Sequence, residues 1–263
     1  MPVIDGVFVP RSPLTLAERQ ADFAAIDAHV LERRVRVEEA VLPLIRRLGV
    51  LANTGWGLLP LPVLDAIEER LRMALDRTAT FGYRQAQSEI RSLRRAKRLS
   101  VRSYAIPDAG EYARLAAGGI ESIRVLIRRR SREVAYAVNQ AVVDAAGTPG
   151  LDPTTRTLAI ANAGRRALHN NVLELVGETL NMGRTAGAMA IPTPPEFAMR
   201  SEQLDKATCP ECERLQGEIT QIGSSDYFAL LPPSGCLGGG RCRGVMVFGD
   251  GPVDFRVPIA EAA

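Results

Sequence analysis

The sequence predicts an α+β protein: a mainly α-helical N-terminal region with long helices, followed by a small α/β domain that contains every cysteine. Three observations support this class. Apolar residues recur at helical spacing up to residue 189, and closely spaced prolines at 191–195 then end the pattern. Beyond them lie short segments of strand-like alternation. With 46% hydrophobic residues in 263, the chain can form a substantial core.

Long helices account for most of the N-terminal region. Thr15, with Glu18 three residues later, forms a capping box that starts the first helix. The apolar periodicity predicts helices over residues 15–48, 63–98, 113–146 and 154–189. Pro43 is expected to kink the first helix, and Gly82 is a candidate interruption of the second. The predicted inward face of the first helix is Phe23, Ile26, Val30, Val37, Val41, Leu44 and Leu48.

The proline cluster marks the clearest boundary in the chain, because such prolines cannot continue a helix. We therefore predict an extended N-terminal arm over residues 1–13, a helical domain over 14–190 and a small Cys-rich α/β domain over 191–263. The apolar arm is expected to dock on a partner or a neighbouring copy. Within the last domain the pattern predicts strands at 196–204, 218–222 and 243–248, a short helix at 210–215 and a glycine-rich loop at 234–240.

Charge and hydropathy exclude several classes of protein. The net charge of +3 is too small to mark a nucleic-acid binder by itself. We expect no signal peptide, because no basic start precedes an apolar stretch, and no membrane span, because no run of about 18 apolar residues occurs. A leaderless chain is expected in the reducing cytosol, where C-x-x-C more often binds metal or does redox chemistry than forms a structural disulfide.

The four cysteines form the strongest chemical pattern in the sequence. Cys209 and Cys212 are separated by two residues, and Cys236 and Cys242 follow after a 23-residue insert. Two such pairs can close a tetrahedron of thiolates around one zinc ion, and a domain this small needs such a stabilising element. We therefore predict a zinc-knuckle-like domain. Reduced buried thiols and disulfides remain alternatives, and a thioredoxin-like pair is the weakest because no βαβ pattern surrounds Cys209.

No catalytic signature accompanies these cysteines. The histidines, His29 and His169, lie far away in the sequence on predicted helices, which disfavours catalytic zinc, an HNH-type nuclease and Cys–His hydrolysis. Neither a G-x-S-x-G nor a P-loop motif occurs. We therefore predict no catalytic residue and no enzymatic activity. A cryptic enzyme that uses carboxylates such as Asp205 or Glu211 is a third hypothesis.

Two basic runs on predicted helices are candidates for contact with DNA phosphates. The first run extends from Arg84 to Arg102 with Glu89 as its main acid, and the second extends from Arg124 to Arg132. The candidate contact residues are Arg91, Arg94, Arg95, Lys97, Arg98, Arg128, Arg129 and Arg130. The alternative interpretation is a solvated helix face whose arginines extend over apolar neighbours.

The residues around the cysteines resemble a known family. The pattern is Asp205-x-x-Thr208-Cys209-x-x-Cys212-x-x-Leu215-x-Gly217, then Pro232-Pro233, then Arg241-Cys242-Arg243. It resembles the Mu-F-like phage head morphogenesis family, the minor head proteins of tailed phages. Upstream, Glu178-Thr179-x-Asn181-x-Gly183-Arg184 resembles the family's helical segment, so the likeness covers about residues 176–248. The family pattern ends in P-x-H-x-x-C-R-C; here Cys236 lies near the histidine position, and Gly240 replaces the first cysteine of C-R-C.

The resemblance implies a structural role in head morphogenesis, in which the four cysteines correspond to the zinc ligands. It implies a multi-copy protein of the virion, present in the host cytoplasm during assembly and without membrane contact. The implied partners are the portal protein, capsid and scaffold proteins, and packaged double-stranded DNA through its phosphates, with a role in packaging or ejection. The alternative is a zinc-stapled nucleic-acid-binding module unrelated to capsids.

Overall fold

The structure is a computed structural model, and it describes residues 3–4, 7–8, 16–53, 61–96, 109–201, 209–230, 236 and 244–251. Some side chains within these ranges are not described, so the contacts below concern the remainder. The chain comprises two compact units. Unit 1 comprises Met1–His29, Ala79–Ile123 and Gly177–Ala263; unit 2 comprises Val30–Thr78 and Arg124–Val176. The division falls inside each of the four long helices. The predicted domain boundaries stay a prediction.

The four long helices are confirmed. They are α1 (Leu16–Asn53), α2 (Leu61–Ala96), α3 (Ala109–Ala146) and α4 (Pro153–Met189). Helix α1 continues five residues beyond its predicted end, with Pro43 inside it. Helix α4 starts where Asp152 accepts hydrogen bonds from the backbone N–H groups of Thr154 (3.0 Å) and Thr155 (3.1 Å). This is an N-cap followed by proline at the first helical position, which explains the sharp start of α4.

The C-terminal region forms a small antiparallel sheet. Its strands are β3 (Phe197–Ser201), β4 (Ile219–Gln221) and β5 (Val245–Gly249), in the order β4-β3-β5. Helix α5 (Pro210–Leu215) coincides with the predicted short helix, whereas α6 (Ser225–Ala229) was not predicted. In the predicted arm, β1 (Val3–Ile4) pairs with β2 (Val7–Phe8). The protein is therefore mostly helical with a three-stranded sheet, as the α+β prediction requires.

Apolar helix faces form the interior of unit 2. The side chains that α1 contributes to it are Val37, Val41, Ile45 and Leu48, all almost fully buried. The predicted inward residue Leu44 is only half-buried, so that part of the prediction was wrong. Because Val41, Ile45 and Leu48 follow one another at intervals of four and three residues, they lie on one stripe and Leu44 falls at its edge.

In unit 1, helices α2 and α4 approach each other at glycines. A Cβ atom on Gly183 would overlap the backbone of Ala79, and one on Gly187 would overlap the backbone of Tyr83. On the facing helix, a Cβ atom on Gly82 would meet the Leu180 carbonyl. The predicted interruption at Gly82 was wrong: α2 continues through it, and the missing side chain provides space for close helix packing.

The sheet packs against the same two helices within unit 1. Ala86 and Ile90 of α2 and Ala188 of α4 share a buried cluster with Ala198 of β3 and Phe248 of β5. Every residue of β5 is buried. Met246 and Phe248 belong to the cluster with the helices, and Val247 packs against Met199 in a second cluster. Among the described residues, no helix is sufficiently long and apolar to span a membrane.

Candidate metal centre

Three of the four predicted ligands lie together in the structure. Cys209 precedes α5 in extended conformation (φ −78°, ψ 155°), and Pro210 follows it as the first helical residue. This arrangement turns Cys212 back towards Cys209, and the backbone N–H of Cys212 donates to the Cys209 Sγ at 3.5 Å. Cys209 therefore caps α5 through its sulfur.

The third sulfur belongs to Cys236, which approaches both others. Its Sγ lies 3.4 Å from the Sγ of Cys212 and 3.8 Å from that of Cys209. All three sulfurs lie within 4.8 Å of one another, and none is in a disulfide. Sulfurs in a tetrahedral zinc site, about 2.3 Å from the metal, are separated by about 3.8 Å. The donor set and these separations therefore suit a thiophilic ion such as zinc.

Buried Arg200 of β3 connects the segments that carry the cysteines. Its side chain donates to the Leu230 carbonyl at 2.7 Å, just after α6 and before Cys236 in the sequence. Its backbone exchanges hydrogen bonds with the turn after α5, with Gly217 N–H at 2.9 Å and the Glu218 carbonyl at 2.8 Å. Gly217 has a φ of +81°, a conformation that favours glycine. The central strand thus positions the segments before and after the cysteine group.

The fourth predicted ligand, Cys242, lies outside the described residues, as does Asp205. Among the described residues, the cysteine group contains no histidine or carboxylate. His29 stacks on Phe81, with ring centroids 3.9 Å apart. His169 hydrogen-bonds to Glu38 and Arg34. The described residues therefore bring three sulfur atoms together at this centre, each a possible metal ligand.

Glu211, the other carboxylate considered for catalysis, lies on α5 in an exposed ion pair. Its carboxylate accepts from Arg214 at 2.8 Å and 3.0 Å. This hydrogen bonding lowers the pKa of Glu211 below its ordinary value. A general acid at neutral pH requires the opposite shift, so Glu211 has the properties of a surface carboxylate.

The predicted DNA-contacting arginines are largely engaged within the protein. Arg94 binds Asp250 with two hydrogen bonds (2.7 Å and 3.3 Å) and also donates to the Thr193 carbonyl. Arg129 and Arg130 both pair with Glu133. The side chain of Arg91 donates to Gln87 at 3.4 Å, and Arg128 is not free either. The side chain of Arg95, and Lys97 and Arg98 altogether, lie outside the description. Their contact with DNA stays a prediction.

The sequence did not reveal a buried ionic network in unit 1. Arg184 of α4 donates to Glu89 (2.6 Å), to Gln85 (2.6 Å) and to the Met246 carbonyl of β5 (2.8 Å). Its guanidinium carbon also lies 5.6 Å from the ring centroid of Phe248. Glu89 was interpreted as the acid of a basic surface run, but its side chain is only 2% exposed. A signal was present, because Glu89 lies three residues after Ala86 and four before Leu93, on the same helix face as these core residues.

Two further polar contacts hold the sheet and α6 to α4. Asn181 donates to the Gly244 carbonyl at 3.3 Å, immediately before β5. Tyr227 of α6 hydrogen-bonds through its hydroxyl to Thr185. Burial raises the pKa of Tyr227 to about 12, although the bond to Thr185 and nearby Arg184 act in the opposite direction. The phenol therefore stays protonated under all physiological conditions.

Comparisons with protein-family models, curated proteins and solved structures find no match for this chain. The geometry of the cysteine group supports a conclusion about metal binding. The chain brings Cys209, Cys212 and Cys236 into one group that can hold a metal ion.

Proposed function

We propose that the cysteine group holds a structural zinc ion. The observation that carries this proposal is the separation of 3.4 Å and 3.8 Å between the Cys236 sulfur and the other two sulfurs. Cys242 is proposed as the fourth ligand because it completes the thiolate set in the sequence. When bound, zinc supplies a closed coordination shell and no reaction. The residues themselves link the start of α5 to the chain beyond α6.

We further propose that the protein is a non-enzymatic minor head protein of a tailed phage or prophage-derived particle. The support is the resemblance of the cysteine region, together with the structural roles of its residues. Gly217 provides a left-handed turn, Gly183 permits close packing of α4 on α2, and Arg184 connects both helices to β5. The proposed role is assembly of the head beside the portal and capsid or scaffold proteins, in several copies. Contact with packaged DNA through phosphates belongs to the same proposal.

A nucleic-acid-binding module unrelated to capsids is the second candidate. The favouring observation is a pair of exposed arginines on α4, Arg165 and Arg166, that form no ion pair with any described residue. Both candidates include the same metal centre. They differ in the partner with which the protein copurifies.

Metal analysis tests the zinc site directly. Purified protein should contain one zinc per chain, and its thiols should react with a thiol reagent only after a strong chelator removes the metal. Cys209→Ser should reduce zinc content and make the C-terminal segment sensitive to protease. The matched control is Gln221→Ser at an exposed position of β4, which should retain zinc and resist protease. A metal-free chain with freely reacting thiols and unchanged protease resistance in Cys209→Ser would contradict the site.

Copurification separates the two candidate functions. Expressed with the structural proteins of its own particle, a minor head protein should sediment with portal-containing procapsids. The procapsid fraction should lose the chain when the portal gene is omitted. A separate nucleic-acid module should instead sediment as a free species in both cases, which would sink the head-protein proposal while leaving the zinc site intact.

A further inference from the structure

An open groove runs along the outer face of α4 in unit 2. Its volume is about 470 Å³. The residues that line it, called the α4 groove here, are Ala159, Asn162, Arg165, Arg166, His169 and Asn170. They lie over three turns of one helix, or about 16 Å along its axis. Among the described residues, no phenylalanine, tyrosine or tryptophan lines this groove, so its chemistry is that of guanidinium, imidazole and amide groups.

The two arginines of the groove are available to a ligand. Arg165 and Arg166 are exposed, and neither forms a hydrogen bond or an ion pair with any described residue. On α3 the situation differs, because Arg129 and Arg130 share Glu133 and Arg132 pairs with Glu68. The α4 groove therefore presents positive charge that the described part of the protein does not neutralise.

The carboxylate that contacts His169 of the groove is also paired with an arginine outside the groove. Glu38 of α1 accepts hydrogen bonds from His169 (2.8 Å) and Arg34 (3.2 Å). Burial alone would raise the pKa of Glu38, but these two partners lower it overall, so the carboxylate is ionised at neutral pH. Arg34 also contacts the imidazole, with 2.9 Å separating its Nη2 from each ring nitrogen, so Glu38, Arg34 and His169 form one polar cluster.

Phosphate oxygens are the ligand groups that match this set of donors. Arginine forms two parallel hydrogen bonds with phosphate, and an asparagine amide such as that of Asn162 can donate to an adjacent oxygen. A single small phosphate would require an enclosed pocket, whereas this groove is open and extends over three turns. Successive phosphates of one duplex strand are spaced by about 3.4 Å along the duplex axis, so several of them fit such a length.

We propose that the α4 groove binds the phosphate backbone of double-stranded nucleic acid without reading bases. This inference rests on the nucleic-acid contact of the proposed function and gives it a location outside the predicted arginines. It does not depend on the zinc site. The absence of an aromatic platform in the groove argues against recognition of single strands by stacking.

The test is salt-dependent binding of a fluorescent duplex to the full-length chain. Arg165→Gln combined with Arg166→Gln should weaken binding about tenfold or more, and should reduce the slope of log K against log salt by about 2. The control combines Arg70→Gln with Arg77→Gln on α2, which removes the same charge from exposed positions in the same unit. The control should weaken binding less than about threefold.

Three results would overturn the proposal. The first is an equal loss of duplex affinity in the groove variant and the control, which would show only a general effect of charge. Arg129→Gln with Arg130→Gln can remove the salt dependence instead, which would favour the predicted site on α3. Calorimetry with inorganic phosphate alone can show stoichiometric binding that the groove variant abolishes while duplex affinity is unchanged, which would assign the groove to small phosphates. Zinc content and circular dichroism of each variant separate these results from failure of the metal site or fold.

Discussion

The interiors of the two units differ in the chemistry of their buried polar groups. Among the described residues, the buried arginines and the buried glutamate all belong to unit 1: Arg184, Arg200 and Glu89. The buried polar residues of unit 2 are Thr78 and Ser131, and Thr78 donates to a carbonyl of its own helix. In the part of the chain that the structure describes, the interior of unit 1 combines apolar side chains with buried charges, whereas that of unit 2 combines apolar side chains with two neutral hydroxyl groups.

The difference follows from what each interior must join. Unit 2 packs helices, whose backbone groups are satisfied within each helix except at the ends. Unit 1 joins helices to an edge strand and to a segment after α6, where carbonyls need outside partners. Arg184 donates to Met246 and Arg200 donates to Leu230, so the buried charges satisfy these carbonyls. The buried arginines of unit 1 therefore connect the sheet and the segment after α6 to their neighbours, and this sheet positions the cysteines.

Glu89→Ala should cause the largest loss, because it leaves Arg184 buried without its counter-ion. Removal of one partner of a buried pair costs about 3–5 kcal/mol. Chemical denaturation of the full chain measures the change. Replacing both residues, Glu89→Leu with Arg184→Met, should recover most of that stability. If Glu89→Ala is as stable as the wild type, the buried ion pair does not stabilise unit 1, and the proposed difference between the two interiors has no energetic consequence.

Leu71→Ala tests the apolar interior of unit 2. Leu71 is 1% exposed, and truncation of such a leucine costs about 2–5 kcal/mol through lost burial and a cavity. Leu158→Ala is the control in the same unit, because Leu158 is 60% exposed and should change stability by less than about 0.5 kcal/mol. Equal effects in the two variants would contradict the assigned core.

Gly183→Ala should destabilise unit 1 by about 1–3 kcal/mol, since the new methyl group overlaps the backbone of Ala79 rather than a movable side chain. Gly147→Ala is the control, because its new methyl group makes only ordinary van der Waals contacts and should cause no such loss. Thermal unfolding of the two variants compares them. A stabilised Gly183→Ala would show that α2 and α4 do not need this close approach.

The smallest effect is expected from the ionic group at the surface of unit 2. The folded pKa of Glu38 is lowered, so its contribution to stability is present above the unfolded value of 4.5 and is lost as pH falls through the folded value. Unfolding free energies of the wild type and Glu38→Gln should therefore differ near neutral pH and converge in acid. A constant difference across that range would mean that Glu38 does not act through its charge.

Periodicity predicted the helices because each repeats one burial pattern over many turns. It failed at Leu44, where the position of a partner element decides which side of the stripe is covered. The charge pattern failed at Glu89, which is buried and does not belong to a basic surface. Helix α6 has only five residues and leaves no period to detect. Gly82 shows the same limitation, because a glycine that ends a helix and one that receives another helix are identical in sequence.

The candidate site was predictable to the level of ligand type. Spacing indicated that Cys209 and Cys212 would share a turn, and the structure adds that Cys236 reaches both. The role of Arg200 was not predictable, because its contacts join residues distant in sequence that only the fold brings together. The α4 groove was not predicted either. Arg165 and Arg166 stand out as arginines without ion pairs only after the structure shows that arginines of α3 are paired with glutamates.

The contact between α6 and α4 can be followed by the ultraviolet absorbance of Tyr227. A phenol ionises near pH 10 when exposed, whereas burial holds the pKa of this one at about 12. Above pH 10 the unfolded chain releases a proton that the folded chain retains, so the stability that Tyr227 contributes is lost as pH rises towards 12. In an alkaline titration, exposed phenols should absorb first as phenolates. The late increase in ultraviolet absorbance should then report the opening of this contact.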